Sequence, residues 1–397
     1  MKPKPTSAAE RAGPRFIIVT LDNHLAGAVD RARRTLARDI PGLDLAFHAA
    51  ADWNDPAALK NCLDSIAKAD IIVATMLFMD EHAEAVLPAI RARRDSCDAV
   101  LGCMSAPEIV KLTRVGRLNM DGTKRGALDF LKRLRGSSKP SDTGGAKQLA
   151  MLRRIPRILR FIPGPAQDVR AYFLTLQYWL AGSDENVVNL VRFLINRYAS
   201  GPHAGLRGAL KAPLPVEYPE VGVYHPRAAR RFAATADALP RPAVKKAVGT
   251  VGLLLMRSYL LANNTAHYDA VIAALEKRGL RVIPAFASGL DARPAVEAFF
   301  KRNGVPAIDA FVSLTGFSLV GGPAYNDAAG AADLLRELDV PYIAAHALEF
   351  QTVEQWEASD RGLSPVEATM MVAIPELDGA TAPIVFGGRL DSAPPRR

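Results

Sequence analysis

Two stretches of this 397-residue sequence put ligand-facing residue types where a sheet protein would use them. The first is residues 312–323, VSLTGFSLVGGP, a glycine-rich loop between a candidate strand and a candidate helix. In open α/β sheets ligands bind outside the carboxyl ends of the strands, which is where such a loop sits. Gly316 and Gly321 have the spacing of a phosphate loop, but Gly322 and Pro323 stand where Lys and Ser/Thr would hold phosphates and their metal. Nucleotide hydrolysis at this loop is therefore not expected. Two readings stay open: a tight turn with close backbone packing, or contact with a ligand that also meets Thr315 and Tyr325.

The second stretch is residues 263–269, NNTAHYD, between a buried strand and a helix. Thr265 is expected to cap that helix, with Asn264 beside it and His267 and Tyr268 facing a cleft at the sheet edge. An imidazole titrates near neutral pH, so His267 is the candidate catalytic residue, as a proton acceptor. The plainer alternative is a histidine that hydrogen-bonds its own loop. His82, with Asp80, Glu81 and Glu84 nearby, reads better as the negative first turn of a helix than as a divalent-ion site. His24, His48, His203, His225 and His346 have no metal-ligand spacing, and Cys97 and Cys103 form no C-x-x-C pair. No metal site is assigned.

A third group is basic. Arg153, Arg154, Arg157 and Arg160 alternate with apolar residues around a proline. Arginine grips carboxylates bidentately, so these four are candidates for an acidic ligand or partner surface, against a solvated helical face. No nucleic-acid recognition motif accompanies the charge, and no G-x-G-x-x-G follows the first strand, so neither nucleic acid nor a dinucleotide is expected as a partner.

The elements that must position these residues can be read from apolar runs. Residues 16–21 (FIIVTL), 43–49, 71–75 (IIVAT) and 99–103 read as strands, with helices at 26–38, 55–67 and 81–93 between them. Strands alternating with helices, and continuous apolar runs in the strands, predict a parallel sheet covered on both faces. The pattern resumes with strands at 248–255, 280–286, 307–314 and 342–345, and helices at 270–278, 293–302 and 326–338. The predicted fold class is α/β, two doubly wound parallel-sheet units joined by a basic helical and loop region. The divisions are a disordered segment 1–13, an α/β domain 14–110, a linker region 111–246, a second α/β domain 247–390 and a tail 391–397. Within the linker region, residues 167–198 read as two helices, 136–145 as an exposed loop and 201–241 as a Pro/Gly-rich connecting arm.

Bulk properties narrow the class. A hydrophobic share of 49% and a charged share of 23% are ordinary for a globular α/β protein. No apolar run is long enough to span a bilayer; residues 251–262 come nearest and are broken by Arg257. Residues 1–14 are basic but lack the apolar stretch of a signal peptide. Three cysteines fit a reducing cytoplasm, and the net charge of +9 suits an acidic ligand, an anionic surface or an acidic partner.

Several long stretches then resemble one family. Residues 16–32 (FIIVTLDNHLAGAVDRA), 76–90 (MLFMDEHAEAVLPAI) and 103–120 (CMSAPEIVKLTRVGRLNM) resemble the start of the magnesium chelatase large subunit. Residues 259–279 (YLLANNTAHYDAVIAALEKRG) and 312–326 (VSLTGFSLVGGPAYN) resemble its next region. The cobaltochelatase large subunit is of the same family and shares the later α/β unit, whereas the first segments are similar to the magnesium branch.

The resemblance implies a porphyrin-binding subunit that acts on protoporphyrin IX and Mg²⁺ as substrates in (bacterio)chlorophyll synthesis. Two smaller AAA+ type subunits would spend ATP, and no tightly bound cofactor is implied. Family members run far longer, so the chain is expected to be an N-terminal fragment, inactive alone, whose partners include the rest of the large subunit. With a porphyrin as the ligand, the loop residues Asn264, Thr265, His267, Tyr268, Thr315, Gly316, Gly321, Gly322 and Tyr325 become the candidate ring contacts, and the four arginines candidates for its propionates or for a partner. A cytoplasmic location follows, with a peripheral place at the photosynthetic membrane as a further option. The alternatives are a non-catalytic tetrapyrrole-binding or partner-docking module, and a cobaltochelatase fragment.

Overall fold

The apolar strand segments form two sheets in the computed structural model, which describes residues 13–21, 23–121, 154–229, 231–240, 247–322, 325–381 and 383–390. The expected disordered segment (Gly13 apart), the loop 136–145, Arg153, Pro323 and the tail lie outside the described residues. The chain divides into two units, Met1–Glu217 and Tyr218–Arg397.

In the first unit β1 (Arg15–Thr20) is an inner strand, buried along its length except at Arg15. It pairs in parallel with β2 (Asp44–Ala49) on one side and β3 (Ile71–Thr75) on the other, and β4 (Ala99–Cys103) pairs in parallel with β3. Two short antiparallel strands, β5 (Arg114–Val115) and β6 (Leu118–Asn119), complete the order β2-β1-β3-β4-β5-β6. Helices α1 (Ala26–Asp39), α2 (Pro56–Lys68), α3 (Asp80–Arg93) and α4 (Pro107–Lys111) connect the strands. The start of α2 shows local sequence at work. Asp55 accepts a hydrogen bond from the Ala57 amide at 2.8 Å, and Pro56 opens the helix where its missing N–H costs nothing.

Two further helices belong to this unit, α5 (Ala166–Leu180) and α6 (Asp184–Tyr198). Ser183 caps α6, and Val187, Leu190, Val191, Leu194 and Ile195 give it a buried stripe. It packs against α1, where Arg31 grips Asp184 with two hydrogen bonds of 2.6 and 2.7 Å.

The second unit has five parallel strands: β9 (Gly249–Met256), β10 (Leu280–Ala287), β11 (Ala310–Ser313), β12 (Tyr342–Thr352) and β13 (Ile384–Arg389). Before them come β7 (Val221–Tyr224) and β8 (Phe232–Ala233), which extend the sheet antiparallel in the order β13-β12-β11-β9-β10-β7-β8. The connecting arm expected over 201–241 therefore contains two strands; short segments between prolines and arginines carry too little alternation to be seen. Helices α7 (Arg257–Leu261), α8 (Ala266–Lys277) and α9 (Ala328–Leu338) cover the faces. Leu254, Ile283 and Phe311 point into one core with Phe300 and Leu334, while Leu253, Leu255 and Phe286 meet Tyr268 and Ile272 in another. Both faces are covered, as continuous apolar strands require.

One predicted helix is shorter than expected. Residues 293–302 begin as Arg293–Ala295, pass into a π-helical turn Val296–Phe300, and leave at Lys301–Arg302 into a hairpin with Val305–Pro306. Asn303-Gly304 is the two-residue turn of that hairpin, a signal that outweighs the helical run before it.

Candidate functional site

In both units the strand order reverses beside the first parallel strand, which leaves a crevice at the carboxyl ends of neighbouring strands. In the second unit this point lies between β9 and β11, next to the glycine-rich loop. Thr315 turns the chain there: its hydroxyl is 3.0 Å from Ser313 Oγ and accepts from the Phe317 amide at 3.3 Å. Gly316 follows with φ +67°, in a place where an added β-carbon would stand 3.0 Å from His346 Cβ on β12. Ser318 donates to Asn326 Oδ1 at 2.8 Å and to Asp378 Oδ1 at 3.1 Å, and the Leu319 amide donates to Asp378 Oδ2 at 2.7 Å. Asp378 is buried, which pushes its pKa up, while the Leu319 and Ser318 bonds oppose that shift.

Gly321 and Gly322 pair with Asn326 and Tyr325 in a small hairpin, so the next helix starts only at Ala328. A phosphate loop would run straight into its helix, and this one does not. The loop's own side chains nearly fill the crevice. About 20 Å³ remains among Met256, Asp291, Thr315, Phe317, Ser318 and Leu319, room for one water and not for a macrocycle.

The second predicted stretch is woven into a polar network. Thr265 stands at the N-cap of α8 without capping it. Its hydroxyl donates instead to Asp269 Oδ2 at 3.1 Å and accepts from Arg231 Nη2 at 2.9 Å. Tyr224 donates to Asp269 Oδ1 at 2.6 Å and accepts from Arg231 at 3.0 Å. Two competing partners explain why the expected cap is lost. Asn264 is exposed, and Tyr268 is 2% exposed, its ring in the core and its hydroxyl accepting from the Met256 amide at 3.4 Å.

His267 is half-buried in an aromatic cluster, with ring centroids 3.9 Å from Tyr268, 5.6 Å from Tyr259 and 5.9 Å from Phe386. Burial holds its pKa down to about 4 against the charge of Asp269, so the ring is neutral near pH 7 and a weak base. A second histidine carries more unspent chemistry. His346 on β12 is 2% exposed, and neither ring nitrogen has a hydrogen-bond partner among the described residues. Burial lowers its pKa as well. The sequence hides it within the apolar run of β12, and a histidine inside a strand that should be wholly apolar was the only available signal.

The described members of the predicted arginine group, Arg154, Arg157 and Arg160, lie in the first unit. Arg154 is exposed, Arg157 pairs with Glu217 at 2.9 Å, and Arg160 stacks on Phe161 at 5.9 Å. His82 packs edge-on to Trp53 at 5.9 Å beside the acidic first turn of α3. Among the described residues, no group of three His, Cys, Asp or Glu side chains comes together to hold a metal, and no helix is long and apolar enough to cross a membrane. A larger hollow of about 490 Å³ lies in the first unit, lined by none of the predicted residues.

Comparisons with known proteins agree with the resemblance. The family model CobN/Magnesium Chelatase matches residues 176–396, and Domain of unknown function (DUF3479) matches residues 15–173. The magnesium-chelatase H subunit of Cereibacter sphaeroides is 53% identical over 380 residues, which cover 96% of this chain and 31% of that protein. Its counterpart in Rhodobacter capsulatus, also a magnesium-chelatase H subunit, is 50% identical over 382 residues, again 96% of this chain and 31% of that protein. The aerobic cobaltochelatase subunit CobN of Sinorhizobium sp is 31% identical over 130 residues, 33% of this chain and 10% of that one. The chain thus spans about a third of the length of the magnesium-chelatase relatives it matches. With one family model covering more than half of it, the chain belongs to the CobN/Magnesium Chelatase family.

Proposed function

We propose that this chain is the N-terminal portion of the porphyrin-binding large subunit of a magnesium chelatase. In this reading the whole assembly inserts Mg²⁺ into protoporphyrin IX for (bacterio)chlorophyll synthesis, with ATP spent by two smaller AAA+ type subunits. One observation carries it. Identity of 50–53% runs through 96% of the chain toward proteins named as magnesium-chelatase H subunits, whereas the cobaltochelatase relative matches only 33% of it.

The chemistry sets two demands. Mg²⁺ must shed tightly held water, and the ring must lose two pyrrole protons to a base. Within this chain the neutral imidazoles of His267 and His346 are candidate proton acceptors, both made weaker bases by burial. The filled crevice between β9 and β11 favours a supporting role here, in which the chain contributes surface and the remainder of the large subunit completes the ring site.

Fluorescence titration of protoporphyrin IX with the 397-residue chain tests the reading. Saturable quenching is expected, together with no Mg-protoporphyrin formation when ATP and the two smaller subunits are added. Absence of saturable binding favours a docking module that carries no tetrapyrrole, and a preference for a corrin-type ring favours the cobalt branch.

A further inference from the structure

The 490 Å³ hollow of the first unit has the size of a small-ligand site, for which about 300–1,000 Å³ is usual. Four segments meet around it: the turn at Gly116 and Arg117, the first turn of α5 at Asp168, the last turn of α6 at Arg197 and Tyr198, and the loop at Arg207. Asp168 is the single carboxylate in the wall, and it is fully engaged. Its Oδ2 accepts from the Arg117 amide at 2.9 Å, and its Oδ1 accepts from the Tyr198 hydroxyl at 2.9 Å and from Arg197 Nη2 at 3.4 Å. Gly116 permits this contact, because a β-carbon there would stand 2.5 Å from Asp168 Oδ2.

Arg197 is held in place by Asp168, by a 2.9 Å bond to the Tyr198 hydroxyl and by that ring beneath it at 5.5 Å. The carbonyl end of α6 favours a cation there too. Arg207 is kept at the rim because Asn196 accepts from the Gly208 and Leu210 amides at 2.9 and 2.8 Å. Neither Arg117 nor Arg207 has an ion pair among the described residues. Three guanidinium groups against one committed carboxylate leave two positive charges unanswered, beside the aromatic walls of Phe193 and Tyr198. Nearby, burial and then the charges of Arg197 and Arg160 hold Arg170 below the usual guanidinium range. This corner is charged beyond what its own acids neutralise.

We infer that this pocket binds the paired carboxylates of a small organic dianion, gripped by Arg117 and Arg207 with Arg197 as the fixed floor. Two sources have this chemistry. One is the propionate pair of protoporphyrin IX, which rests on the function proposed above; the other is a free dicarboxylate. An apolar body between the acid groups suits the aromatic wall, and planar guanidinium forks suit carboxylates.

Calorimetric titration with succinate, and fluorescence titration with protoporphyrin IX, on the full 397-residue chain test the inference. The comparison is with the Arg117→Gln/Arg207→Gln double variant and with Arg281→Gln/Arg302→Gln, a control that removes two exposed charges from the other unit. At least one probe is expected to bind, with affinity falling about tenfold or more in the double variant and staying within about twofold in the control. All three proteins should melt alike, since the substituted side chains are exposed. Equal binding of both probes by wild type and double variant overturns the inference, as does saturable binding of neither. Porphyrin binding that ignores the double substitution while succinate binding is lost keeps the pocket and removes the porphyrin as its source. No porphyrin binding to wild type favours the docking reading of this chain, and succinate then decides the pocket by itself.

Discussion

A β-carbon placed on Gly316 would lie 3.0 Å from the β-carbon of His346, so the loop after β11 closes over β12 only because residue 316 has no side chain. The same residue has φ +67°, a conformation that costs an L-residue roughly 1–2 kcal/mol. Gly316→Ala combines both penalties, and the expected loss is about 2–3 kcal/mol. Thermal and urea unfolding of the variant measure it. A variant as stable as the parent would show that the loop moves freely and does not press on His346.

Stability should fall with acid, in a defined window. Burial holds His267 down to about 4 from an ordinary 6.5, and His48, His82, His225 and His346 are shifted the same way, with burial as the largest cause. The folded rings bind fewer protons than the unfolded ones, so unfolding takes up protons below pH 6.5. Their contribution is complete above that pH and is lost as pH falls toward 4. His267 alone accounts for at most about 3 kcal/mol. Urea midpoints measured between about pH 8 and pH 5 should drop steadily at the acid end, and His267→Phe should flatten the slope. A midpoint that does not move with pH contradicts the assignment.

The three thiols should be inert in the folded protein. Burial pushes Cys62 and Cys103 up to about 12 and Cys97 to about 11, and all three are buried. Thiolate is the reactive form, so little is present even in mild alkali. Titration with a thiol reagent at about pH 8 should count no fast thiols in the native chain and three after denaturation. Rapid modification of one cysteine without loss of structure would place it at a surface.

The α/β architecture was legible because its signal is local. Runs such as 71–75 and 99–103 are almost wholly apolar and are buried on every residue, and the helices between them repeat on one face. The family was legible for a related reason: the matching stretches are long enough to be read whole. The site was harder. Asn264, Thr265, His267 and Tyr268 were chosen for their place between a strand and a helix, yet the fold sends each somewhere different: exposed, bonded to Asp269, set in an aromatic cluster and buried in the core. Spacing fixes which element a residue sits on, and says little about which neighbour claims its polar atoms.

What the chain alone determined is the run of parallel strands β1 to β4 and β9 to β12 with most of the helices between them, the covering of both sheet faces, and kinship, since hydrophobic periodicity and motif identity are properties of contiguous residues. Tertiary structure decided the rest. It joined Arg117, Asp168, Arg197 and Arg207 from four separated segments into one pocket, and it filled the crevice beside Thr315 with the loop's own side chains. Electrostatic fields and cavities depend on distance in space, and that distance exists only once the chain has folded.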